Sequence, residues 1–230
     1  MKRALVLGAH LDDSVIAMGG TIAKLVKAGI RVDVFCFGNG DEAYTVPGDS
    51  DNAVRRFTRD AVKAHEILGC ASFECYNVPD FAVMANREFY QQCIRVIRQY
   101  KPDIIFSHWW NEYFQHHGMA TLSRDAWNQA GWACSADFGT EPHQAEKFYH
   151  FEVNDPLPDP SCIVDITDTF ETKMAAWMCF EDAHDHLGAL DSALEARARY
   201  HGSRINVKYG EPFRQDFYIP GAVKNVDKLF

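Results

Sequence analysis

The sequence predicts an α/β fold of three layers, in which a mostly parallel sheet carries helices on both of its faces. Short apolar runs of strand length alternate with longer segments whose apolar residues recur at helical spacing. With 230 residues and no linker-like segment, the chain is expected to form a single domain, residues 1–230, around one core. This alternation predicts strands that are joined by helical crossovers.

The predicted strands and helices follow one another from the N-terminus. The expected strands cover residues 3–8, 31–37, 72–78, 104–107, 147–153 and 162–166. The expected helices cover residues 14–28, 52–68, 88–100, 119–131 and 169–187. Gly69 ends the second helix, and Pro102 lies in the turn that leads into the fourth strand. Prolines make residues 133–160 less regular, apart from the strand within them.

Composition and charge exclude several classes of function. The formal net charge is −9 and no basic run is present, so nucleic acid is not expected as a partner. No stretch approaches the roughly 18–20 apolar residues of a spanning helix, and the N-terminus lacks a signal sequence, which predicts a cytoplasmic protein. The 7 cysteines are scattered and are expected to be reduced thiols. A small molecule is the expected partner, and a homo-oligomer is left open.

A candidate site follows the first predicted strand, where the sequence reads Ala-His-Leu-Asp-Asp-Ser over residues 9–14. His10, Asp12 and Asp13 bring one imidazole and two carboxylates to the turn between a strand and a helix. This mixture of nitrogen and oxygen donors binds zinc in catalytic sites that have three protein ligands. Two adjacent aspartates do not both face one ion comfortably, so we expect one to bind the metal and the other to transfer protons.

The third ligand is expected from another strand's carboxyl end, where catalytic loops of open α/β sheets lie. Residues 108–118 form an aromatic and histidine-rich loop after the fourth strand, with His116 and His117 near its end. The competing cluster at residues 184–186 lies late in a predicted helix, where alternate side chains diverge, and is interpreted as a solvated helix end.

The ordered motifs of this chain resemble those of the PIG-L or LmbE-like zinc-dependent deacetylases, which remove N-acetyl groups from N-acetylglucosaminyl compounds. Residues 9–14 are similar to the family's Ala-His-Pro-Asp-Asp-Glu turn, and a Gly-Gly-Thr helix start follows at residues 19–21. Later family pieces recur in order across most of the chain. These pieces lie at residues 64–69, 78–80, 101–105, 164–167 with Lys173, and 210–213.

The resemblance implies a role for each matching residue. Zn²⁺ would be bound by His10, Asp13 and His117. Another divalent metal would suit the same ligands. Asp12 would be the general base. Asp80 would bind a substrate hydroxyl group, and Arg56 lies one residue out of register with the family's substrate-binding arginine. The implied reaction is hydrolytic N-deacetylation of a small N-acetylated amino-sugar conjugate.

The chain departs from the family's His-x-Asp-His motif. Aligned on His117, Phe114 replaces the first histidine and His116 replaces the aspartate. Our hypothesis is that these changes compensate, with His116 supplying the oxyanion donor or general acid. The rival assignment makes His116 the ligand and His117 the acid. In addition, Ser14 replaces the family's glutamate and removes a carboxylate from beside the ligands.

Two other classes of function were weighed against hydrolysis. A nucleotide-binding Rossmann-like protein is disfavoured because Asp12 and Asp13 would place negative charge where a pyrophosphate should lie. A family member with lost or altered catalysis is the remaining alternative, since Phe114 departs from the motif.

Overall fold

The computed structural model describes residues 1–133, 138, 141–181, 183, 188 and 190–217. The strands are β1 Arg3–Gly8, β2 Arg31–Gly38, β3 Ser72–Val78, β4 Ile104–His108, β5 Lys147–Phe151, β6 Cys162–Asp165 and β7 Gly210–Asp216. The α-helices are α1 Asp13–Lys27, α2 Ser50–Leu68, α3 Arg87–Tyr100, α4 Phe114–Ala130, α5 Phe170–Trp177 and α6 Leu190–Ser203. A short 3₁₀ turn covers Asp80–Ala82.

The strands form one seven-stranded sheet in the order β3-β2-β1-β4-β5-β7-β6. The five strands from β3 to β5 are parallel, whereas β7 runs antiparallel to both β5 and β6. β1 lies inside the sheet, where Val6 pairs with Val34 of β2 and with Phe106 of β4. The predicted mostly parallel sheet is therefore confirmed.

Alternating side chains of the strands supply two apolar cores, one on each face. Ala4 and Val6 pack on one face with residues of α1, α2 and α5, whereas Leu5 and Leu7 pack on the other face with residues of α3 and α4. Because both faces are covered, β1 is continuously apolar from Ala4 to Leu7 rather than alternating with polar residues. This confirms the three-layer arrangement.

Two elements were missed by the sequence analysis. β7 contains Gly210 and Pro212 and ends on polar residues, so it lacks the apolar alternation that identifies a strand. α6 has no strong apolar periodicity, and of its residues only Leu194, Ala198, His201 and Gly202 are buried. Both elements lie on the β6-β7 side of the sheet.

A buried ion pair holds an irregularity in α1. The helix departs from helical geometry at Met18, where φ is −146° and ψ is 23°. The kink frees backbone groups: Gly20 and Thr21 donate to the Glu211 carboxylate at 3.1 and 2.7 Å. Lys173 Nζ donates to Ile16 O at 2.8 Å and to Glu211 Oε1 at 2.7 Å. These contacts join Lys173 and Glu211, which are far apart in sequence, to the same part of α1.

Two boundaries differ from the prediction in ways that affect the site. α4 begins at Phe114 rather than at residue 119, so His116 and His117 lie in its first turns instead of in a loop. The predicted helix over residues 169–187 corresponds to α5, which covers Phe170–Trp177. The cluster at residues 184–186 lies outside the described residues. Among the described helices, none is long and apolar enough to cross a membrane.

Candidate active site

The site begins at the turn between β1 and α1, which is closed by its own side chains. The backbone N–H of His10 donates to Asp13 Oδ2 at 2.7 Å. This bond fixes the Asp13 carboxylate at the start of α1, where Oδ2 also lies 3.6 Å from His10 Nδ1. Asp13 is only 2% exposed, so its charge requires compensation from neighbouring groups.

Three side chains from two segments present their donor atoms to one point. His116 Nε2 lies 3.1 Å from Asp13 Oδ1 and 3.2 Å from His10 Nδ1, and His10 Nδ1 lies 3.6 Å from Asp13 Oδ2. We call this group the donor triangle. A tetrahedral zinc ion with ligand bonds near 2.1 Å separates its ligands by about 3.4 Å, so the spacing suits such an ion. The donor set therefore fits a divalent metal.

The structure does not bring His117 to this group. His117 is exposed, and its Nδ1 contacts Trp110 O at 2.7 Å, whereas His116 is 2% exposed and faces Asp13. Successive helical residues point about 100° apart, so the two histidines do not face the same atoms. The structure thus places His116, and not His117, beside His10 and Asp13, which is the arrangement that the rival assignment expects.

A buried carboxylate that the sequence analysis missed orients His116. Glu112 Oε2 makes a short contact with His116 Nδ1. Its other oxygen accepts from the backbone N–H groups of Val153 at 2.6 Å and Asn154 at 3.2 Å. A carboxylate on the far nitrogen fixes the tautomer of a metal-binding histidine. The spacing of His108, Glu112 and His116, each four residues apart, was the available signal.

His108 lies behind Asp13 and is fully buried. Its Nε2 lies 3.0 Å from Asp13 Oδ2 and 3.0 Å from the backbone nitrogen of Ala9. His108 Nδ1 has no hydrogen-bond partner among the described residues, and it lies 3.9 Å from Glu112 Oε2. His108 therefore contacts Asp13 on the side away from the cavity.

The two adjacent aspartates have opposite pKa shifts. Burial, followed by the charge of Asp13, raises the pKa of Asp12 to about 7. Burial also acts to raise the pKa of Asp13, but His116, His108 and His10 outweigh it and hold that pKa well below its usual range. At neutral pH Asp13 is therefore a carboxylate, while Asp12 is poised to exchange a proton.

The donor triangle opens into a cavity of about 350 Å³. Polar residues on its wall include Asp12, Asp80, Tyr113 and Gln115. The Tyr113 hydroxyl lies 3.3 Å from both ring nitrogens of His10. Burial raises the pKa of Tyr113 above its ordinary value, so the phenol is protonated and can donate a hydrogen bond.

Asp80 lies on the wall of the cavity beside His10 and holds a loop. Its Oδ1 accepts from Gly40 N at 3.0 Å, and its Oδ2 accepts from Glu42 N at 3.4 Å. A Cβ at Gly38 would lie 2.5 Å from Asp80 Oδ1 and 3.2 Å from His10 Cδ2. Only glycine lets the strand end approach both groups this closely. Asp80 therefore holds the loop of residues 40–42 in place in addition to facing the cavity.

Arg56 and Ser14 have other partners. Arg56 Nη2 donates to Asp49 Oδ2 at 2.8 Å, and Arg56 is not among the described residues that line the cavity. Ser14 Oγ lies 2.7 Å from Nε2 of buried His65, whose Nδ1 contacts Ala61 O. Where the family has a carboxylate, this chain thus has a neutral contact between α1 and α2.

Known proteins are similar to this chain over most of its length. The family model described as "PIG-L: GlcNAc-PI de-N-acetylase" matches residues 5–127. Diacetylchitobiose deacetylase of Thermococcus kodakarensis is 28% identical over 240 residues, covering 98% of this chain and 86% of the relative. 4-Oxalmesaconate hydratase of Pseudomonas putida is also 28% identical, over 242 residues, covering 98% of this chain and 92% of the relative.

A solved structure shows the same fold. N,N'-diacetylchitobiose deacetylase from Pyrococcus horikoshii superposes with a TM-score of 0.87 at 24% sequence identity. The match covers 100% of this chain and 89% of the other. The fold is therefore shared with an amide hydrolase, while the relatives by sequence include both a deacetylase and a hydratase.

Proposed function

Because this chain belongs to the PIG-L family, whose model matches more than half of its residues, we propose that it is a metal-dependent N-deacetylase. Its substrate is a small N-acetylated amino-sugar conjugate. The donor triangle next to Asp12, inside a cavity of about 350 Å³, supports this function most directly. The group combines a metal-binding set with a carboxylate whose pKa is raised to about 7.

We assign the metal to His10, Asp13 and His116, and we propose Zn²⁺ because two imidazoles and one carboxylate are zinc's usual catalytic ligands. When bound, such an ion lowers the pKa of a water molecule and polarises a carbonyl oxygen. Glu112 holds the His116 ring so that Nε2 faces the other two donors. The exposed His117 takes no part in this set.

Asp12 and Tyr113 perform the proton transfer and the charge stabilisation. The Asp12 carboxylate accepts a proton from the attacking water and returns it to the departing amine, because it lines the cavity next to the donor triangle. The Tyr113 hydroxyl donates a hydrogen bond to the substrate oxygen as negative charge develops there. Asp80 lines the same wall and supplies carboxylate oxygens for a substrate hydroxyl group.

The hydratase relative makes hydration of an unsaturated carboxylate a second candidate. A substrate of that kind is anionic and would need cationic side chains to hold it. The charged residues described on the cavity wall are instead Asp12, Asp13, Glu42 and Asp80, with no lysine or arginine among them. These carboxylates also disfavour a nucleotide's pyrophosphate, so deacetylation is the better match.

The test is a panel of N-acetylated amino sugars, assayed for free amine and for acetate. The metal-free protein, prepared with a chelator, should be inactive, and addition of Zn²⁺ should restore release of both products in equal amounts. Asp12→Asn should lower the rate by about 10²-fold or more while it retains the metal. Release that is unaffected by chelation, or no release from any sugar by the zinc-loaded protein, would contradict the proposed function.

A further inference from the structure

The carboxylate side chains on the cavity wall make it negatively charged. Four of the described lining residues are ionisable acids, namely Asp12, Asp13, Glu42 and Asp80, and none is lysine or arginine. A divalent ion in the donor triangle would offset two of these negative charges and leave the wall negative. The remaining lining includes the apolar side chains Ile16, Phe57 and Phe81. Apolar walls strengthen the field of fixed charges inside a cleft.

Glu42 is the member of this set that is free to meet a substituent of the substrate. Its side chain is exposed, and it makes no ion pair with any described residue. Its backbone is held in place, because its N–H donates to Asp80 Oδ2 at 3.4 Å. Gly40 is bound to Asp80 in the same way, and Asp80 N donates to Asp41 Oδ1 at 2.8 Å. The Glu42 carboxylate is therefore presented by a loop that is tied to the cavity wall.

Arg197 and Arg56, two cationic side chains near the cavity, have other partners. Arg197 donates to the backbone oxygen of Val153, and it faces the carboxylates of Glu152 and Glu112. Arg56 pairs with Asp49. An anionic substituent would thus meet carboxylates and no described lysine or arginine on the wall, whereas a cationic one would meet the Glu42 carboxylate.

We propose that the enzyme selects N-acetylated amino sugars that carry a positively charged group next to the acetamido sugar, and that Glu42 is a specificity-determining residue for this group. The inference rests on the proposed function and names the substrate class of the same site. A sugar conjugate with a second, free amino group is the simplest member of this class. The ammonium group forms no covalent bond and contributes to binding and orientation only.

Three matched glycosides of N-acetylglucosamine test the proposal: 2-aminoethyl, 2-hydroxyethyl and carboxymethyl. With the zinc-loaded protein, kcat/KM for the cationic glycoside should exceed that for the anionic one by at least about tenfold at low salt. The ratio should shrink towards one at about 1 M salt, because the Debye length falls to about 3 Å. Calorimetric binding of the same glycosides should follow the same order without requiring turnover.

The variant Glu42→Gln should lower the ratio of cationic to anionic kcat/KM about threefold, which is the size expected for an exposed charge pair. Glu66→Gln is the matched control, because Glu66 is an exposed residue of α2 that does not line the cavity. Equal rates for the three glycosides, or a Glu42→Gln ratio equal to that of the control, would overturn the inference and leave deacetylation standing. Preferential binding of the cationic glycoside without release of acetate would overturn the proposed function instead.

Discussion

Tyr113 is the residue whose role the sequence alone did not suggest. Aligned on His116 instead of His117, the family's His-x-Asp-His motif falls on Tyr113, Phe114, Gln115 and His116. The first histidine is then replaced by Tyr113, whose hydroxyl lies 3.3 Å from both ring nitrogens of His10. Phe114 is 57% exposed. We therefore propose Tyr113, rather than His116, as the hydrogen-bond donor to the oxyanion.

We predict that Tyr113→Phe lowers kcat for deacetylation by about 10²-fold, the usual cost of removing one hydrogen bond to a developing oxyanion. The metal content should stay at the wild-type value, because the hydroxyl is not part of the donor triangle. Steady-state kinetics together with metal analysis check both statements. Tyr76→Phe is the matched control, since the Tyr76 hydroxyl contacts Glu88 outside the cavity. Equal rates for the two variants would refute the role of Tyr113.

The choice between the two adjacent histidines depends on where α4 begins. The sequence identified the pair but placed the helix start at residue 119, because Tyr113 is not a usual capping residue and Gly118 interrupts the first turns. With the start at Phe114, the phase of the helix directs His116 to Asp13 and His117 to Trp110. The difference of five residues in where the helix begins is what separates the two possible ligand assignments.

In helix α1, the ion pair of Lys173 and Glu211 forms hydrogen bonds with the backbone groups that the kink at Met18 leaves without helical partners. We predict that Glu211→Gln lowers the free energy of unfolding by about 3–5 kcal/mol, because it leaves a buried lysine without its counter-charge. Denaturant unfolding measures this loss. Glu195→Gln, which removes a charge from the solvent-exposed pair with Arg199, should cost far less, because water screens that pair. Similar losses for both variants would show that the buried pair does not support α1.

For the whole molecule, a buried neutral histidine between α1 and α2 makes stability depend on pH. Burial lowers the pKa of His65 to about 4 in the folded protein, against an ordinary value of 6.5. The unfolded chain therefore binds a proton at a higher pH than the folded one. The stabilising contribution is complete above pH 6.5 and is lost as the pH falls towards 4.

We predict that this loss amounts to about 3 kcal/mol between these limits. Denaturant unfolding at several pH values measures it, and His65→Gln should remove this part of the pH dependence. His117→Gln, at an exposed position, should leave the slope as in the wild type. An unchanged slope in His65→Gln would contradict the assignment.

The architecture was more predictable than the site because it follows from apolar periodicity. The six predicted strands and the helices that cover both faces are confirmed, since buried strands and amphipathic helices have distinct spacings. β7 was missed because Gly210 and Pro212 conceal it, although Glu211 within it supports α1. Glu112 was missed because its role depends on Val153 and Asn154, which the fold brings to it from the segment after β5.

The most direct test of this account is the zinc content of three proteins after dialysis against a limiting concentration of Zn²⁺: the wild type, His116→Ala and His117→Ala. The wild type and His117→Ala should each retain about one ion per chain, whereas His116→Ala should lose it. Loss of zinc from His117→Ala with retention by His116→Ala, or no zinc in the wild type, would contradict the metal site formed by His10, Asp13 and His116.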